Sequence, residues 1–261
     1  MEEIRWTKGK GRGGLSPSGT EGGRPPRGVL MYTEDQVAEC LGRFSSEFTL
    51  NGADALIESA FRIARELSRS GAPTGDGERY RVYLKLCEAA GCEPRNPEDV
   101  LDDQDAWFRD PSIDVDPVAV LALKALLWSR HASAPDGTMD RKCPVCGSDP
   151  DFFYIDGDGR LHLVCSRCDY EWRYLRTGCP FCGGNDPRDI SYLISDDGFS
   201  RLRRCSKCGR SMFGVDERRA RRPFCYFLEK LLTGYALSIV NADRNGPSPG
   251  DPTSDPDTGR K

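Results

Sequence analysis

Four Cys-x-x-Cys pairs fall within 66 residues, at Cys143 and Cys146, Cys165 and Cys168, Cys179 and Cys182, and Cys205 and Cys208. Nothing else in the chain narrows its possible folds as far. Cysteines at i and i+3 make strained disulfide partners for each other, whereas a tight turn aims both sulfurs at one ion. Eight of the twelve cysteines stand in such pairs, a usage that reads as metal binding in a reducing compartment.

The pairs are organised as a repeat. "CPVCGSDPDFFYIDGDGRLHLVCSRCDYEW" and "CPFCGGNDPRDISYLISDDGFSRLRRCSKCG" begin 36 residues apart, and each places a short β-type run (Phe152 to Ile155; Ile190 to Ile194) before a Gly/Asp turn and a second run. Each unit therefore reads as a hairpin bracketed by cysteine turns, of the rubredoxin or zinc-ribbon kind. The simplest pairing gives one ion to Cys143, Cys146, Cys165 and Cys168 and a second to Cys179, Cys182, Cys205 and Cys208; interleaved pairing stays open. Iron and zinc share such four-thiolate turns. Glycine follows three of the pairs and suits the left-handed turn that points backbone N–H groups at the sulfurs. The fourth carries Asp169 instead, which predicts a strained or differently turned knuckle.

Upstream, the period changes to that of helices. Thr33 and Gln36 have the spacing of a capping box at the start of "TEDQVAECLGRF". Leu56, Ile57, Ala60, Phe61, Ala64 and Leu67 recur at steps of three and four up to Gly71. "GERYRVYLKLCEAAG" places Tyr80, Tyr83, Leu84 and Cys87 on one stripe, with Cys87 a core residue. Asn96-Pro97 and Asp116-Pro117 each set an N-cap before a first-turn proline. The fold class that follows is α+β: an all-α domain over 33–132, a linker at 133–142, a tandem four-cysteine domain over 143–215, and a terminal helix over 223–243. Residues 1–32 and 244–261 are rich in Gly, Pro and polar residues and read as a disordered arm and tail.

With 37 basic and 41 acidic residues, whole-chain charge points to neither nucleic acid nor a membrane surface. No run reaches the roughly 18 to 20 apolar residues of a spanning helix, and the first residues lack the apolar core of a secretory signal, so the expected location is the cytoplasm without membrane contact. A redox Cys-x-x-Cys needs a helix N-terminus in a βαβ setting, which is missing. His131 and His162, the only histidines, lie in no nucleophile motif, and complete fourfold ligand sets leave no open metal position, so the chain does not read as an enzyme. Basic residues Arg201, Arg203, Arg204, Lys207, Arg210, Arg218, Arg219, Arg221 and Arg222 surround the last knuckle, and a zinc-ribbon nucleic-acid or regulatory role is the alternative they offer. Against it, Asp196, Asp197, Asp216 and Glu217 are interspersed among them.

The block "LHLVCSRCDYEWRYLRTGCPFC", with Glu171-Trp172 after Cys168 and Arg176 before the third knuckle, resembles the formate dehydrogenase accessory protein FdhE family. The order of a helical N-terminal part, "LLWSR" leading to "CPVCGS", four pairs, and "SYLISDDG" before the last pair fits the same family. The resemblance implies rubredoxin-type iron at the eight paired cysteines and a cytoplasmic maturation factor that is not an enzyme. It also implies that the hairpin and helical surfaces bind the formate dehydrogenase catalytic subunit. A homodimer is compatible with the sequence. The segment "FLEKLLTGYALSIVNADR" departs from the acidic final helix usual in that family.

Overall fold

The Thr33 and Gln36 pair closes as the sequence predicts: the Thr33 N–H donates to Gln36 Oε1 at 2.8 Å and the Gln36 N–H to Thr33 Oγ1 at 3.1 Å, satisfying two amides that a helix start leaves orphaned. In the computed structural model, which describes residues 6–9, 28–47, 53–71, 75–135, 139–221 and 223–231, this cap opens α1 (Glu34–Glu47). α2 (Ala53–Ser70), α3 (Asp76–Ala90), α4 (Pro97–Arg109) and α5 (Pro117–Ser129) follow. Asn96 and Asp116 cap α4 and α5 by accepting from the Asp99 and Val118 N–H groups at 2.9 and 2.8 Å. In α3 the buried side chains are Val82, Tyr83, Leu86 and Cys87. Leu84, expected on the inner stripe, is 37% exposed, because the helix is rotated so that Val82 and Leu86 carry the contact.

The cysteine region is one sheet rather than two separate hairpins. β2 (Pro150–Ile155), β3 (Leu161–Cys165) and β4 (Glu171–Tyr174) form an antiparallel meander, as do β5 (Ile190–Ser195), β6 (Ser200–Cys205) and β7 (Ser211–Asp216). A parallel pairing of β7 with β2, Phe152 opposite Phe213 through Ile155 opposite Asp216, joins the two units. Gly214 sits in that seam because a Cβ there would run into the Phe153 carbonyl oxygen and ring. β1 (Trp6–Gly9), inside the stretch read as a disordered arm, pairs antiparallel with β5 and completes the order β1-β5-β6-β7-β2-β3-β4. An edge strand offers unpaired backbone groups that any extended segment can satisfy, whatever its composition. Residues 10–27 of the arm, residues 232–243 of the expected terminal helix, with Gly234, and the tail at 244–261 lie outside the described residues.

Helices and sheet share a core. Val29 and Leu30, also within the stretch read as an arm, are buried with Phe61, Tyr83, Leu86, Trp128, Phe152, Tyr154 and Val215. The segment at 223–231 enters the same cluster through Cys225, Tyr226, Phe227 and Leu228 and turns helical at residues 226–231, labelled α6. Phe227 stacks on Phe61 and meets Trp128 edge-on, with centroids 6.5 and 5.7 Å apart. Burying each such ring stabilises by about 1.5–3 kcal/mol, so α6 is held chiefly by its aromatic face. No helix among the described residues is long and apolar enough to cross a membrane.

Candidate metal centres

The strand pairings decide which knuckles face each other. β2 and β3 bring Cys143 and Cys146 over Cys165 and Cys168, while β5 and β6 bring Cys179 and Cys182 over Cys205 and Cys208. In each set the four sulfurs lie within 4.8 Å of one another, so the sequential pairing is the one the fold makes. A tetrahedron with about 2.3 Å metal–sulfur bonds has edges of about 3.8 Å. The Cys143–Cys168 and Cys146–Cys165 sulfurs are 3.5 and 3.3 Å apart, and the Cys179–Cys208 and Cys182–Cys205 sulfurs 3.7 and 3.9 Å. All-sulfur donors at that spacing fit zinc or iron, and either cluster could hold one ion. The repeat extends to the backbone: Ser166 N–H donates to Asp149 O at 3.1 Å and Ser206 N–H to Asp189 O at 2.8 Å, each tying the second knuckle to the strand entrance of its unit.

Three knuckles close alike. Gly147, Gly183 and Gly209, with φ of 75°, 74° and 75°, donate to the carbonyls of Cys143, Cys179 and Cys205 at 2.9 Å each. Asp169 adopts the same left-handed turn, with φ of 54°, where a non-glycine residue is uncommon. Its carboxylate, fully buried, explains the exception. Oδ2 accepts from Lys124 Nζ at 2.6 Å and from the Trp128 indole at 3.1 Å, and Oδ1 accepts from Lys230 Nζ at 2.8 Å. Lys230 also reaches the Cys165 carbonyl and pairs with Asp151 at 3.0 Å. Burial alone would raise the Asp169 pKa; the two ammonium charges outweigh it and hold the group at about 2. The strained turn thus places a carboxylate where α5 and α6 both clamp the first cluster.

Further links fix that cluster to the helices. Arg167 donates to the Phe108 and Arg109 carbonyls at 2.5 and 2.9 Å, the end of α4. Tyr226 donates to the Asp169 carbonyl at 3.0 Å. Cys143, Cys165 and Cys168 are buried, and burial raises the thiol pKa values of Cys165 and Cys168. A cleft of about 380 Å³ lies alongside, lined by Leu67, Ser68, Arg130, Pro144 and Val145 among others.

The second cluster is held from the sheet and from the segment before the first knuckle. Arg141 donates to the Pro180 and Phe181 carbonyls at 2.9 and 2.8 Å, Arg203 reaches the Gly178 carbonyl, and Arg210 lies over the Phe181 ring at 3.9 Å. Cys208 is exposed and Cys182 partly so. The Gly184 N–H lowers Cys182 to about 7, whereas burial raises Cys179 to about 12. Of the basic set around this knuckle, Arg203 is buried and Arg201 and Arg218 pair with Asp216 at 2.5 and 2.8 Å. Arg204, Lys207 and Arg210 are exposed, so the surface charge is smaller than the sequence suggests; Arg222 lies outside the described residues.

Neither histidine joins a cluster. His131 is fully buried and accepts from the Val29 N–H at 3.1 Å, and burial lowers it to about 4, so it is neutral and anchors residues 28–31. His162, half-buried, stacks on its cross-strand neighbour Tyr154 with centroids 4.7 Å apart. Burial would lower its pKa, but Asp156 and Glu171, at 2.8 and 2.7 Å from its ring nitrogens, raise it to about 9.

Fold and site together define an α+β protein whose helical part clamps a single sheet carrying two all-sulfur clusters. No family model matches the chain. Its sequence is 35% identical over 82 residues to the FdhE homolog of Aquifex aeolicus and 30% identical over 149 residues to FdhE of Salmonella arizonae. These matches cover 30% and 52% of this chain and 29% and 47% of the relatives, so the chain matches less than half the length of either. The crystal structure of FdhE from Pseudomonas aeruginosa superposes with a TM-score of 0.51 at 19% identity, over 84% of this chain and 98% of that one, and shows the same fold. The chain is thus similar to FdhE proteins over part of its sequence and shares the fold of one of them.

Proposed function

We propose that this chain is an accessory protein for formate dehydrogenase maturation, a metal-thiolate scaffold that binds the immature catalytic subunit in the cytoplasm and catalyses no reaction itself. The observation that carries the reading is the pair of four-sulfur clusters set on one sheet in an FdhE-type fold. Cys143, Cys146, Cys165 and Cys168 would hold one ion and Cys179, Cys182, Cys205 and Cys208 the other. Thiolate-bound iron would supply one-electron exchange, whereas zinc would supply structure alone.

Residue chemistry supports a division of labour between the clusters. Asp169, Lys124 and Lys230 bind the first into the core, so its ion serves chiefly as folding energy. The second, with Cys208 exposed, presents its knuckle to a partner. Complementation of a strain lacking the gene tests the reading, with co-purification of the formate dehydrogenase catalytic subunit as the second readout. The wild-type chain restores formate dehydrogenase activity and retains the subunit, and a Cys205→Ser, Cys208→Ser double variant loses both. Full activity from a folded double variant would sink the proposal. The absorption spectrum of the purified protein separates iron, with intense visible thiolate bands, from colourless zinc.

A further inference from the structure

Two cysteines outside the knuckles meet across the helical core. Cys40, in α1, and Cys225, just before α6, are 2% and 1% exposed, and their sulfurs stand 2.7 Å apart although 185 residues separate them in sequence. This spacing differs in kind from that of the knuckles. A four-thiolate tetrahedron needs edges of about 3.8 Å, and the paired knuckle sulfurs lie between 3.3 and 3.9 Å. At 2.7 Å the Cys40 and Cys225 sulfurs are too close to share a metal ion and about 0.7 Å from the 2.05 Å of a covalent S–S bond. The Cys225 sulfur also lies 3.8 Å from the Gln36 carbonyl oxygen.

We infer that Cys40 and Cys225 form a reversible disulfide, a modification site separate from both metal centres. Hydrogen peroxide is the oxidant class small enough for so enclosed a pair. One thiolate attacks peroxide, giving a sulfenic acid and hydroxide; the second thiol then displaces water from that sulfur. In sum two thiols and one peroxide give one disulfide and two waters, the two electrons from sulfur reducing the peroxide oxygens. The bond fastens α1 to the segment that carries α6, whose Lys230 reaches Asp169 and the Cys165 carbonyl at the first cluster. Oxidation therefore holds α6 against the core independently of the ion beneath it.

The test treats the full-length, metal-loaded chain with graded hydrogen peroxide, unfolds it, alkylates the remaining thiols and maps peptides without reduction. The expected product is a peptide pair joining Cys40 to Cys225, two hydrogens lighter than the sum of its parts and abolished by dithiothreitol. It appears at doses that leave the metal content unchanged. A rise in the melting midpoint of about 5 °C or more accompanies it and is absent in Cys225→Ala. Recovery of both cysteines as alkylated thiols at every dose below metal loss, or as sulfinic acids without the linked pair, would overturn the inference.

Discussion

The two clusters share a repeat, a hairpin and a set of turns, yet they are embedded differently. The first is wedged under α4, α5 and α6: Lys124, Trp128 and Lys230 converge on Asp169, and Arg167 reaches the end of α4. The second hangs from its own strands and from Arg141, with Cys208 at the surface. One repeat unit can thus serve as foundation while its copy faces outward. The residue that marks the difference is the one that breaks the glycine pattern, Asp169. Its left-handed backbone is unfavourable for an aspartate, and its buried ion pairs link the sheet to both helices.

Single ligand substitutions should separate the clusters most sharply. Cys168→Ser is expected to abolish the cooperative thermal transition, because structural four-thiolate sites contribute on the order of 10 kcal/mol, comparable to a whole domain's stability. Cys208→Ser should lose one metal ion while its melting midpoint falls by only a few degrees. Equal loss in both variants, by calorimetry and metal analysis, would erase the distinction.

Asp169→Asn comes next. It removes the carboxylate paired with the buried Lys124 ammonium and leaves Lys230 with Asp151, a defect that costs about 3–5 kcal/mol, and denaturant titration should show that loss with the second ion still bound. A neutral result would mean that the clamp does not couple the first cluster to the helices.

The charged His162 adds a pH dependence confined to the first unit. Because its folded pKa of about 9 lies above the ordinary 6.5, its contribution is fully present below pH 6.5 and disappears as pH rises through 9. It amounts to at most about 3 kcal/mol. Urea midpoints at pH 6.5 and pH 9.5 should show the loss in wild type and not in His162→Gln; the same slope in both would place the titration elsewhere.

Arg141→Ala should have the smallest effect. Removing its bonds to the Pro180 and Phe181 carbonyls costs about 1 kcal/mol. It should quicken metal release from the second cluster to a chelator while leaving the melting midpoint nearly unchanged, and a slower release would contradict its tethering role.

Features written locally are legible in the sequence, and those set by distant contacts are not. The knuckle turns, the Thr33 capping box and the Asn96 and Asp116 caps depend on residues two to five apart, and each is legible. The third strand of each unit is not: "EWRY" has only four residues, "SMFGVD" follows directly on a cysteine turn, and the parallel seam of β7 on β2 joins segments about 60 residues apart with no local signal. Asp169 is visible as an anomaly, but its explanation needs Lys124 and Lys230, 45 and 61 residues away. Val29 and Leu30 hide in a glycine- and proline-rich stretch because their burial is decided by His131, about a hundred residues on.

If the two sulfur clusters hold ions of unequal accessibility, metal release from freshly purified protein to a chelator, followed together with near-ultraviolet dichroism, delivers two ions per chain in two phases. The fast phase leaves the dichroism intact, and the slow one coincides with its loss. Fewer than two ions, or both released in a single phase with the dichroism unchanged, would contradict that unequal accessibility.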